Sequence, residues 1–76
     1  MQEKIREIMA NLNSDLKEVS PTEDLLAAGL IDSFDIVSLV LELEDAFGVK
    51  IEAEEIVEEN FSSIASIQVL IERKQS

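Results

Sequence analysis

Few residues in this chain could do chemistry. It has no histidine and no cysteine, so the commonest general base and the thiol nucleophile are both missing. The basic residues are Lys4, Arg6, Lys17, Lys50, Arg73 and Lys74. None adjoins the one serine whose surroundings stand out. That serine is in Gly29-Leu30-Ile31-Asp32-Ser33-Phe34-Asp35. Asp32 suits the N-cap of a helix, and Asp35 then takes its third position, where both carboxylates favour the positive helix end. A serine at a helix start is most often punctuation. Ser33 also has a physical opportunity. The first turn offers unpaired N–H groups and partial positive charge, which stabilise a phosphate ester and so anchor a phosphate-linked arm. No catalytic residue is expected, and the chain is not expected to be an enzyme.

The helix that must position Ser33 carries two kinds of face. At about 100° per residue, Ile36, Leu39, Val40, Leu43 and Phe47 cluster around one direction, the stripe expected to face a core. Phe34, Val37 and Leu41 lie well off it. Ser38, Glu44 and Asp45 share that other side, with Asp35 and Glu42 beside it. One reading is a docking surface, on which acids steer a basic partner and apolar groups hold it. The other is extra core, with Val37 packed under the preceding connection and Phe34 folded back over it.

Composition narrows the partners. Net charge is −11, from 17 acidic and 6 basic residues. Such a chain repels nucleic-acid phosphates and anionic membranes, and its natural partners carry basic patches. The acids are interleaved with aliphatics, as on solvated faces of amphipathic helices. A hydrophobic fraction of 46% in 76 residues implies a single folded domain over 1–76 with a limited core. Without cysteine, neither a disulfide nor a thiolate metal site is available, and no metal site is expected. A calcium loop counted from Asp32 would need Gly at Val37 and Glu at Leu43. No apolar run approaches the roughly 18 residues needed to span a bilayer. MQEKIREIM lacks the apolar stretch of a signal peptide, so a cytoplasmic location is the expectation.

The other elements follow from periodicity. Ile5, Ile8, Met9 and Leu12 form one stripe, predicting a helix over 2–12. The connection over 13–32 is long for a compact domain. Within it, Ser20-Pro21-Thr22-Glu23 has the form of a capping box with Pro at the first helical position, and Gly29 suits a stop. A helical turn over 21–28 and an irregular loop anchored by leucines both fit. The second helix runs to Phe47 and closes at Gly48. A short extended link follows, then a brief acidic helix over 53–59 carrying Ile56 and Val57. Phe61 is expected to plug the core. Ser63 is expected to cap a last helix to about Arg73, with Ile64, Ile67, Leu70 and Ile71 inside and Arg73 and Lys74 at the negative end. The sum is an all-α, four-helix domain with a long first connection and a short third helix.

Taken in order, Gly29 to Asp35, Leu43-Glu44-Asp45-Ala46-Phe47-Gly48, Ile51 with its acidic followers, and Phe61-Ser62-Ser63-Ile64 resemble the acyl carrier proteins. The resemblance runs from Ile5 to Ile71. It implies a four-helix bundle whose serine, here Ser33 preceded by Asp32, carries 4′-phosphopantetheine taken from coenzyme A by a separate phosphopantetheinyl transferase. The thiol of that group would hold an acyl or aminoacyl cargo, so a chain without cysteine would do thiol chemistry with an imported thiol. Partner enzymes, for fatty acid or polyketide synthesis or a related pathway, would dock on Phe34, Asp35, Val37, Leu41, Glu44 and Asp45 of a monomeric carrier. Two departures are notable. Phe34 stands where leucine usually follows the serine, and Ser38 stands where fatty-acid carriers commonly have glutamate. Gly-Leu-Ile-Asp-Ser also resembles the D-alanyl carrier proteins, which serve an adenylating ligase. An acidic helical adaptor without a prosthetic group would explain the charge and the outer apolar residues, but not Asp32-Ser33.

Overall fold

The structure, a computed structural model, describes residues 2–75. It contains helices α1 (Gln2–Leu12), α2 (Ser33–Phe47), α3 (Glu58–Phe61) and α4 (Ile64–Gln75), with 3-10 turns at Ser14–Glu18 and Ala53–Glu55. α1 packs on both α2 and α4, and α3 packs on α4. The stripes expected from spacing are the ones that meet. Ile5, Ile8 and Met9 are buried from α1, Leu39, Val40 and Leu43 from α2, and Ile64, Ile67, Leu70 and Ile71 from α4. Ile36 and Phe47 are half-buried and pack against this core. Phe61 is completely buried, as expected. The fold is therefore an all-α four-helix bundle with a long first connection and a short third helix.

The first connection departs from the capping box expected at Ser20. The Ser20 hydroxyl accepts from Thr22 N–H at 3.4 Å, and its carbonyl accepts from Glu23 N–H at 3.1 Å. Asp24 is the working cap instead. Its Oδ1 accepts from Ala27 N–H and its carbonyl from Ala28 N–H, both at 3.0 Å. The reason lies in α4. A helix begun at Pro21 would give the Pro21 carbonyl to Leu25 N–H. That carbonyl accepts from Ala65 N–H at 2.9 Å, while Leu25 N–H donates to the Ser62 carbonyl at 2.7 Å. One local bond is thus replaced by two long-range ones that sew the connection to the start of α4.

The turn then closes at Gly29, with φ of 74°. Gly29 N–H donates to the Leu26 carbonyl at 3.1 Å and Leu30 N–H to the Leu25 carbonyl at 2.9 Å, the paired bonds of a Schellman motif. The 3-10 turn at Ser14–Glu18 has no counterpart in the spacing analysis. Asn13 holds it, accepting from Asp15 N–H through Oδ1 and donating through Nδ2 to the Leu30 carbonyl. Arg6 braces the same stretch on the carbonyls of Lys17 and Val19, at 3.1 and 2.7 Å.

The acidic helix expected over 53–59 is broken in two. The 3-10 turn ends at Glu55, Ile56 and Val57 leave helical geometry, and α3 starts at Glu58. A continuous helix would stack Glu54 on Glu58 and Glu55 on Glu59, like charges four residues apart. Breaking the helix at two β-branched residues avoids both pairs. α2 ends as expected at Gly48, whose φ is 64° and whose N–H donates to the Glu44 carbonyl at 2.9 Å. Ser63 caps α4 as expected, its hydroxyl accepting from Ser66 N–H at 3.1 Å.

Candidate functional site

The entrance to α2 is fixed by two aspartates. Asp32 Oδ1 accepts from Asp35 N–H at 3.0 Å, and Asp35 Oδ2 accepts from Asp32 N–H at 3.1 Å. This reciprocal capping box makes Ser33 the first residue of the helix. Ser33 is exposed. Its own N–H and that of Phe34 have no hydrogen-bond partner among the described residues, as expected for the first turn of a helix. A phosphate ester on Ser33 Oγ would meet those donors and the positive end of a 15-residue helix.

Ser33 also opens into a cleft of about 290 Å³ between α2 and the segment leading into α3. Leu26, Ile36, Val37, Ile56, Val57 and Glu58 line the rest of it. Its walls are mostly aliphatic, so it offers an apolar surface beside the Ser33 hydroxyl. Ile56 and Val57 are 40% and 44% exposed. The spacing analysis placed them on a brief acidic helix and gave them no role. Their sequence signal was the one apolar pair within an acidic run.

The outer side of α2 divides the remaining candidates. Phe34, Val37 and Leu41 are 84%, 59% and 63% exposed, so neither Val37 nor Phe34 is folded into extra core. Asp45 is exposed beside them. Two carboxylates have backbone partners. Asp35 completes the cap, and Glu44 Oε2 accepts from Ile51 N–H at 2.9 Å. Basic side chains with described partners lie elsewhere. Lys4 Nζ stands 5.8 Å from the centre of the Phe47 ring, Arg6 braces the first connection, and Lys74 Nζ meets Glu55 Oε1 at 2.7 Å. That ion pair, with the Glu52 N–H bond, holds the Glu55 carboxyl below its ordinary range. No helix among the described residues is long and apolar enough to cross a membrane.

Comparison with known proteins gives matches that span most of the chain. The family described as phosphopantetheine attachment site matches residues 3–70. An acyl carrier protein of Rubrobacter xylanophilus is 48% identical, over 70% of this chain and 67% of that protein. The carrier family is non-catalytic and uses phosphopantetheine as its prosthetic group. With a capped serine at a helix entrance, a cleft beside it and a family match across nearly the whole length, this chain belongs to the acyl carrier protein family of phosphopantetheine carriers.

Proposed function

We propose that Ser33 is the attachment point of 4′-phosphopantetheine, and that the chain carries acyl or aminoacyl groups to partner enzymes. The observation that carries this reading is the exposed hydroxyl at a capped helix start, beside free N–H donors and at the mouth of the cleft. When bound, the group supplies the thiol that this cysteine-free chain lacks and holds cargo as a thioester. The chain's own residues do the rest. Asp32 and Asp35 fix the direction of the Ser33 side chain through the cap. Ser33 and Phe34 N–H groups face the phosphate. Leu26, Val37, Ile56 and Val57 give the arm an apolar resting surface.

Partners, beginning with the transferase, dock on Phe34, Val37, Leu41 and Asp45. Their docking patches are basic, because α2 contains four acids, Asp35, Glu42, Glu44 and Asp45, and no basic residue. Phe34 and Ser38 depart from the usual carrier pattern, Ser38 from that of fatty-acid carriers, and Gly29-Leu30-Ile31-Asp32-Ser33 resembles the D-alanyl carriers. An aminoacyl cargo loaded by an adenylating ligase therefore stands as the second reading beside fatty acid or polyketide synthesis. A tethered arm raises the effective concentration of cargo at whichever enzyme is docked. The test is intact mass spectrometry after incubation with a promiscuous phosphopantetheinyl transferase and coenzyme A. Wild type is expected to gain one phosphopantetheinyl mass and Ser33→Ala none. An equal gain in both would place the group elsewhere.

A further inference from the structure

One wall of the cleft at Ser33 has no helix of its own. Ile56 and Val57 sit between the 3-10 turn at Ala53–Glu55 and α3, on the segment that leaves α2 at Gly48. Two carboxylates hold this segment. Glu44, on the last turn of α2, binds Ile51 N–H through Oε2 at 2.9 Å. Ile51 is itself buried, so this bond ties a backbone group at the edge of the core to α2. Further along, Glu55 Oε1 accepts from Glu52 N–H at 2.9 Å and from Lys74 Nζ at 2.7 Å. Asn60 Nδ2 donates to the Glu55 carbonyl at 2.8 Å. The wall is thus pinned to α2 at one end and to α4 at the other.

Glu44 lies on the acidic side of α2, where a charge would be counted toward partner docking. Its geometry differs from that of Asp45, which is exposed and has no described bond. We propose that Glu44 is a positioning residue: its carboxylate holds the wall carrying Ile56 and Val57 against α2, and so sets how well the cleft shelters the arm on Ser33. What matters is then the reach of the side chain and its acceptor oxygen, with the negative charge secondary. This inference rests on the reading of Ser33 as the attachment point.

Two substitutions separate reach from charge. Glu44→Gln keeps the length and an acceptor oxygen and loses the charge. Glu44→Asp keeps the charge and withdraws the carboxylate by roughly one carbon–carbon bond, about 1.5 Å, enough to break a hydrogen bond. Each variant is modified with transferase and coenzyme A, and its mass gain at Ser33 is checked first. Two quantities are then measured on the modified protein. One is hydrogen exchange of the Ile51 amide by NMR. The other is the rate at which the arm's thiol reacts with iodoacetamide.

Glu44→Gln is expected to match wild type in both within about twofold, and Glu44→Asp to lose about tenfold or more of Ile51 protection with severalfold faster thiol alkylation. Glu42→Gln, at an exposed acid of α2 outside the docking set, is the control for charge alone and is expected to leave both unchanged. If Glu44→Asp does not fold, Glu55→Ala releases the same wall from its other end and is read at the Glu52 amide and the thiol. The inference is overturned if Glu44→Gln behaves like Glu44→Asp, or if Ile51 protection is lost while thiol reactivity stays constant. Failure of wild type to gain mass at Ser33 is a different result, and overturns the attachment reading itself.

Discussion

Leu41 and Leu43 stand two residues apart on α2 and should respond to truncation in opposite ways. Leu43 is fully buried and Leu41 is 63% exposed. Leu43→Ala removes core atoms and leaves a cavity, at about 2–5 kcal/mol. A chain of 76 residues at roughly 0.05–0.15 kcal/mol per residue has about 4–11 kcal/mol in total, so this is a large share. With a urea slope near 1 kcal/mol/M for so small a protein, the midpoint should fall by about 2 M or more. Leu41 hides only about a third of its surface. A third of the roughly 1.5–3 kcal/mol for a whole leucine puts Leu41→Ala below about 1 kcal/mol. Its effect should appear at the partner. Covering the exposed part is worth about 1–2 kcal/mol on the same scale, or about five- to thirtyfold in kcat/KM for the transferase. Urea melts and transferase initial rates on both variants decide it. The docking assignment is refuted if Leu41→Ala destabilises as much as Leu43→Ala while the rate on folded protein stays normal.

Two other expectations concern charge. With a net charge of −11, raising salt from low to physiological should raise Tm by screening self-repulsion, and calorimetry showing a flat or falling Tm would contradict this. The Glu55 carboxyl is held low in the fold by Lys74, so its contribution is present above the ordinary glutamate value of 4.5 and is lost as pH falls through the depressed folded value. The Tm gap between wild type and Lys74→Met should therefore be open at neutral pH and close on acidification, and a gap that widens in acid would reverse the assignment.

The sequence made the two ends of the site legible and left its walls obscure. The Asp32–Asp35 cap could be read because it is local: four consecutive residues supply both donors and both acceptors. The apolar stripes of α1, α2 and α4 could be read because spacing alone determines which residues share a face. The turn at Asp24 could not, because Ser62 and Ala65 take the backbone groups that a helix from Pro21 would have used. Local preference lost to long-range pairing. The second wall was misread for a different reason. Helical spacing over 53–59 looked adequate, but stacking carboxylates at four-residue intervals opposes it, and this repulsion is invisible to an apolar count. The role of Glu44 was obscured because its partner is a backbone N–H seven residues away, which side-chain patterning does not register.

The two bonds that sew Pro21 to Ala65 and Leu25 to Ser62 also order events in time. They join positions 44 and 37 residues apart in a chain of 76, so a ribosome must release Ala65 before the first can close and Ser62 before the second. α1 can form early from local contacts, and the cap of α2 needs only its own residues. The stretch that delivers the chain to Asp32 has no such independence, because loop closure over this distance comes late in folding. During synthesis the serine would therefore emerge at a helix entrance already able to cap itself, while the stretch that leads into it stays unanchored until residues 62–65 have been made.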